Sequence, residues 1–203
     1  CDFTTGSVFL NAAVVANSAI ATTVAGLAAG NVLVSENTVI AARLGDDIRC
    51  LSDLHKALVA ATKIPFNSEV LAIRNSWDIF SLNDKVLNID FALLTAGRTS
   101  ALIPPGVTVS GHDNLFIEQG ANINAGCVIN ATTGPVYIAK DAEVLEGTLM
   151  RGPVAVCGHA VVKMGAKVYG ATTIGPGCKV GGELNNVVFF ANSNKSHDGY
   201  LVN

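Results

Sequence analysis

From Ile138 onward the sequence repeats every six residues, and that period leaves few folds open. Ile138, Val144, Met150, Val156, Val162, Val168, Ile174 and Val180 fall at successive sixth positions without a gap. Four residues after each stand Ala142, Thr148, Val154, Ala160, Ala166, Thr172, Cys178 and Leu184. Ile117, Ile123 and Ile129 continue the frame upstream, with Ala121 and Cys127 as small partners. Three extra residues intrude at Thr132-Thr133-Gly134-Pro135, which reads as a small loop out of a corner. A six-residue unit is a short strand plus a sharp corner, and three units close one turn of a triangular prism. The aliphatic residue points inward, and a small side chain fills the corner. Successive coils stack at the strand spacing of roughly 4.8 Å. Ordinary sandwich strands would alternate with period two between turns every eight to twelve residues. The hexads instead predict a parallel β-helix, a one-dimensional solenoid.

The composition agrees with such a prism. Half of the 203 residues are hydrophobic, yet only 6% are aromatic and 14% charged, with 20 glycines. Val, Ile and Ala fill a narrow interior, and Gly serves the turns. A net charge of −3 without a basic cluster gives no footprint for nucleic acid or anionic lipid. Phe3 to Ser35 carries no charge, but Asn11, Asn17, Ser18, Thr22, Thr23, Gly26, Gly30 and Asn31 interrupt it. No continuous apolar run is long enough for a spanning helix, so no membrane segment is expected. The chain opens on Cys1 without a basic leader, as a processed chain or a piece of a longer one would. Its five cysteines lack CxxC spacing and read as reduced, mostly buried thiols of a cytoplasmic protein, with no zinc site.

The first hundred residues read as mixed α/β. Asn17 is placed to cap a helix through Ala19–Ala29, stopped at Gly30. Val32–Ser35 and Thr38–Ala42 flank Glu36-Asn37 as a hairpin. Ser52 or Asp53 starts a second helix ending near Lys63, before Pro65. Asn75–Phe91, with Trp77 and Phe80, has the helical period of an element packed on something larger. Ile103-Pro104-Pro105-Gly106 is the expected boundary, giving an α/β segment at 1–105 and a β-helix at 106–203. His55 reads as a solvated helix residue.

The hexads resemble the left-handed β-helix of the hexapeptide-repeat acyltransferases. More closely, the chain resembles two-domain sugar-1-phosphate nucleotidyltransferase/N-acetyltransferases of the UDP-N-acetylglucosamine type. Trp77-Asp78-Ile79-Phe80, the Gly165–Gly181 stretch and Ser193-Asn194-Lys195-Ser196-His197-Asp198-Gly199-Tyr200 are similar to a subgroup of sugar nucleotidyltransferases. The resemblance implies a mainly β protein, a left-handed parallel β-helix preceded by a small α/β segment. Residues 1–105 would then be the tail of a nucleotidyltransferase domain plus a connector. The Gly-rich nucleotide loop of that family has no counterpart in these residues.

Acetyl transfer to an amine needs a base for the attacking nitrogen and donors for the thioester oxyanion. By resemblance His197 is the general base, while Lys195 and Tyr200 hold the acceptor sugar, with Asn192 and Asn194 as further hydrogen-bonding residues. Acetyl-coenzyme A is the implied co-substrate, and an amino sugar phosphate or nucleotide sugar the acceptor. The family's terminal acid is replaced by Asn203, and its upstream phosphate-binding arginine has no counterpart near Ile174-Gly175-Pro176-Gly177. Arg151 and Lys167 are expected to face outward as solvated surface. His112, His159 and His197 are too dispersed for the three-histidine zinc site known on this helix type, so no metal is expected. Family members pack as parallel trimers, which implies a homotrimer here. The competing reading is a non-catalytic β-helix that trimerises or regulates a nucleotidyltransferase.

Overall fold

The computed structural model describes residues 7–45 and 48–199. The chain divides into two compact units, Cys1–Arg74 and Asn75–Asn203. No helix among the described residues is long and apolar enough to cross a membrane.

The first unit contains β1 (Val8–Leu10), α1 (Ser18–Ala25), β2 (Asn31–Ser35), β3 (Thr38–Arg43), α2 (Leu51–Ala60) and β4 (Thr62–Pro65). Its sheet has the order β1-β3-β2-β4. The β2–β3 hairpin is antiparallel, as the Glu36-Asn37 turn predicts, and β4 runs parallel to β2. Alternation along β2 sends Leu33 to one face and Val32 to the other. Leu33 joins Ile20 of α1 in one cluster, and Val32 joins a second against which Leu54, Ala57 and Leu58 of α2 pack.

Both helices end earlier than the sequence predicts. Asn17 does cap α1, its Oδ1 accepting from the Ile20 amide at 2.9 Å. Gly26, not Gly30, stops the helix. Gly30 instead adopts φ +81° at the entry to β2. The second helix starts at Leu51 and ends at Ala60, and the residues expected to finish it form β4. Pro65 is tolerated there because β4 is an edge strand.

In the second unit, α3 (Asp78–Ser81) and α4 (Asn83–Thr95) precede the solenoid. The first coil is β5 (Thr108–Ser110), β6 (Leu115–Ile117) and β7 (Asn122–Ile123); the second is β8 (Val128–Asn130), β9 (Val136–Ile138) and β10 (Glu143–Val144). The third is β11 (Leu149–Arg151), β12 (Val154–Val156) and β13 (Val161–Val162); the fourth is β14 (Lys167–Tyr169), β15 (Thr172–Ile174) and β16 (Lys179–Val180). The fifth is β17 (Glu183–Asn185), β18 (Val188–Phe189) and β19 (Asn194–Lys195). Like strands stack in parallel into three five-stranded sheets, giving a β-solenoid of about five turns.

The hexad rule is realised in the interior. Every sixth-position residue from Ile138 to Val180, and every small partner from Ala142 to Cys178, is at most 3% exposed. Thr148 and Thr172 fit the dry corners because each hydroxyl donates to a carbonyl of its own turn, Leu145 and Tyr169 respectively. The rule changes in the fifth coil. Val162 pairs with Val180, 18 residues on, but Val180 pairs with Lys195, only 15 on. Leu184, read from the sequence as a corner partner of Val180, instead pairs with Val168 as an inward strand residue. The shortened coil thus swaps its role.

The start of α4 docks on one solenoid face. Asn83, itself buried, donates from Nδ2 to the Ala171 carbonyl at 2.7 Å, and its Oδ1 accepts from Thr173 Oγ1 at 2.9 Å. Past the far end of α4, Arg98 lies 5.0 Å from the centre of the Phe116 ring, which stacks on Tyr137. Trp77 and Phe80, which the helical period placed on the packed side, are 57% and 40% exposed. The chain breaks at Leu82 between two helices, and Asn83 makes the contact that a single helix would have given to them.

Candidate functional site

The segment singled out in the sequence closes the fifth coil. Asn192 turns the corner at φ 59°, a left-handed conformation that Asn tolerates better than most residues, and its amide donates to the Pro176 carbonyl at 2.8 Å. Asn194 is exposed on β19, where its Oδ1 accepts from Ser196 Oγ at 2.7 Å. Lys195 occupies the register position that Ile123, Val144, Val162 and Val180 hold in earlier coils. Its Nζ donates to the carbonyls of Gly181 at 3.1 Å and His197 at 2.8 Å. Two of its three ammonium protons are therefore held by backbone, and they fix the chain at His197. The His197 side chain is exposed. Asn194, Lys195 and His197 thus share one short polar run, with Asn192 at the preceding corner. Tyr200 lies outside the described residues.

A second feature lies on the sheet of β5, β8, β11, β14 and β17. A shallow hollow of about 440 Å³ is lined by Val128, Leu149, Arg151, Lys167 and Tyr169 among others. Val128 and Leu149 are 40% and 48% exposed. Arg151 and Lys167 face outward as expected, on adjacent rungs. Tyr169 donates its hydroxyl proton to Glu183 Oε1.

Two of the cysteines are held in a form of low reactivity by burial. Cys50, Cys127, Cys157 and Cys178 are free thiols, and burial pushes Cys127 and Cys157 above the ordinary thiol range. Among the described residues no group of three or more His, Cys, Asp or Glu side chains is placed to hold a metal ion.

A polar cluster not legible in the sequence joins three distant positions. Glu118 accepts from Arg98 Nη2 at 2.6 Å and from the Tyr137 hydroxyl at 2.7 Å, while its second oxygen accepts the Lys140 amide at 2.8 Å. Arg98, then Tyr137 and the Lys140 amide, hold its carboxyl down at about 2. A depressed carboxylate stabilises the fold above its unfolded value of 4.5, and that contribution is lost as pH falls from 4.5 toward about 2. Because Arg98 is nearly half exposed, about 1 kcal/mol is expected rather than the full linkage value. Urea midpoints measured across this range should fall more steeply in the wild type than in Glu118→Gln. Parallel slopes would show that the cluster contributes nothing.

Residues 2–99 match the model of a family described as sugar nucleotidyl transferase. The match covers the first unit and the two helices that follow Arg74, and it ends before the solenoid begins. No curated protein matches the chain. The family match and the solenoid together fit a sugar nucleotidyltransferase-related protein with a role connected to sugar nucleotides.

Proposed function

We propose that the solenoid transfers an acetyl group from acetyl-coenzyme A to an amino sugar phosphate or nucleotide sugar, within a two-domain sugar-phosphate nucleotidyltransferase/acetyltransferase. The observation that carries the reading is one juxtaposition. A sugar nucleotidyl transferase match runs directly into a hexapeptide solenoid whose fifth coil presents an exposed histidine on a pinned polar loop. In this reading the sugar amine attacks the thioester carbonyl carbon, and its proton passes to the His197 imidazole. The carbon–sulfur bond breaks, and the coenzyme A thiolate leaves and takes a proton back. Neutral imidazole suits the base role near pH 7. Lys195 holds the His197 backbone and has one ammonium proton left for the acceptor. Asn192, Asn194 and Tyr200 are the remaining acceptor-binding residues. The free thiols accord with a cytoplasmic setting. Titration with acetyl-coenzyme A tests the donor: saturable binding supports the reading, and its absence removes it.

The chain acts as a homotrimer in this proposal. The shallow hollow on this sheet exposes Val128 and Leu149 beside Arg151 and Lys167, and neighbouring copies would cover its apolar part. Light scattering should give three chains per particle at micromolar concentration; a monomer would contradict the assembly. The same exposed face favours a second reading, in which the solenoid only trimerises or regulates a nucleotidyltransferase. Trimers without acetyl transfer would select it.

A further inference from the structure

We propose that two different solenoid faces join neighbouring copies of this chain in parallel. The sheet of β5, β8, β11, β14 and β17 of one copy seats on the sheet of β7, β10, β13, β16 and β19 of the next. Arg151 then pairs with Glu143 of the neighbour, and Glu183 with its Lys179. The pairing rests on the homotrimer proposed above and names the surfaces that hold it together.

A closed ring of three has heterologous contacts, so each copy offers one patch and receives another. The prism has three sheets to choose from. The sheet of β6, β9, β12, β15 and β18 is engaged by the chain itself at two heights. Asn83 bonds Ala171 and Thr173 there, and Arg98 lies over Phe116. Two faces remain, and in a ring they meet each other.

Their outward strand residues are complementary in charge. On the first face, exposed Arg151 and Lys167 on β11 and β14 are followed one coil further by exposed Glu183 on β17. On the second, the charged outward strand residues are Glu143 on β10 and Lys179 on β16, both exposed. Cation precedes anion along one face, and anion precedes cation along the other. Among the described residues the side chains of Glu143, Arg151 and Lys179 have no ion-pair or hydrogen-bonding partner within the chain. Glu183 accepts the Tyr169 hydroxyl at Oε1, which leaves its other oxygen for a second donor.

The heights agree as well. Strand β10 leads directly into β11, and β16 into β17. Each side of a triangular coil climbs a third of the strand spacing, roughly 1.6 Å. A threefold axis along the prism rotates without translating. Glu143 of one copy therefore stands within about 2 Å in height of the neighbour's Arg151, and Lys179 of its Glu183. Antiparallel copies could satisfy only one of the two pairs at a time.

The test is the mass of the full chain in solution, by light scattering at micromolar concentration and low ionic strength. Threefold symmetry repeats every substitution three times, and opposed like charges are strongly unfavourable. Arg151→Glu and Glu143→Arg should each weaken assembly by about tenfold or more and give monomers. The double variant Arg151→Glu/Glu143→Arg should restore three chains per particle. Lys179→Glu, Glu183→Lys and their double variant should repeat this pattern. All four positions are exposed, so circular dichroism should not change. A trimer that survives Arg151→Glu and Glu143→Arg, or a double variant that stays monomeric, overturns the pairing and leaves the homotrimer standing. A two-chain or monomeric wild type removes the homotrimer and the pairing together.

Discussion

Aspartate at Val162 is expected to unfold the solenoid, whereas aspartate at the adjacent Val161 is expected to leave it folded. Val162 sits on β13 with no solvent exposure, stacked between Val144 and Val180. A carboxylate there would meet only aliphatic neighbours, and an unpaired buried charge costs several kcal/mol even after its pKa rises. Domains have about 5–15 kcal/mol in total, so a loss of about 4 kcal/mol or more removes most of the folded population. Because each coil rests only on its neighbours, the damage should spread through the stack. Val161 points to the other side of the same strand and is only half-buried. Its replacement should cost about 1 kcal/mol. Circular dichroism and urea denaturation of the two variants would check this. Equal effects would mean that the inward register is not the one described.

The second large effect concerns chemistry rather than stability. His197→Ala should lower acetyl transfer by about 10²–10⁴-fold, the usual contribution of a positioned general base. The His197 side chain is exposed, and the Lys195 contact reaches its carbonyl, which alanine retains. The urea midpoint should therefore stay where it is, and the loss should fall on kcat rather than KM. A parallel fall in stability would instead mark His197 as part of the coil closure.

The solenoid was legible because a triangular prism imposes a rule on every hexad, and few other folds do. Its failure at Leu184 is instructive. Leucine satisfies both the inward and the corner position by type, so residue identity could not show that the fifth coil is short. Only the pairing of Val180 with Lys195 does that. In the first unit, Thr62–Pro65 is too short for its period to separate strand from helix, and its pairing with β2 decided it. Trp77 and Phe80 misled because a helical period says which residues share a face but not which face is covered. The polar run from Asn192 to His197 stands out only through family resemblance. The Arg98–Glu118–Tyr137 cluster is hidden for a different reason. It is assembled from residues about twenty positions apart, and nothing in local sequence marks them as neighbours.

Acetyl transfer by this chain is open to direct measurement. The most direct measurement is mass-spectrometric detection of N-acetylated product after the wild-type chain is incubated with acetyl-coenzyme A and each of several amino sugar phosphates and nucleotide sugars. Acetylated product from at least one acceptor, lost in His197→Ala while the trimer and its urea midpoint persist, is the expected outcome. A folded, trimeric wild-type protein that leaves every acceptor unmodified would contradict it and leave the solenoid a structural role.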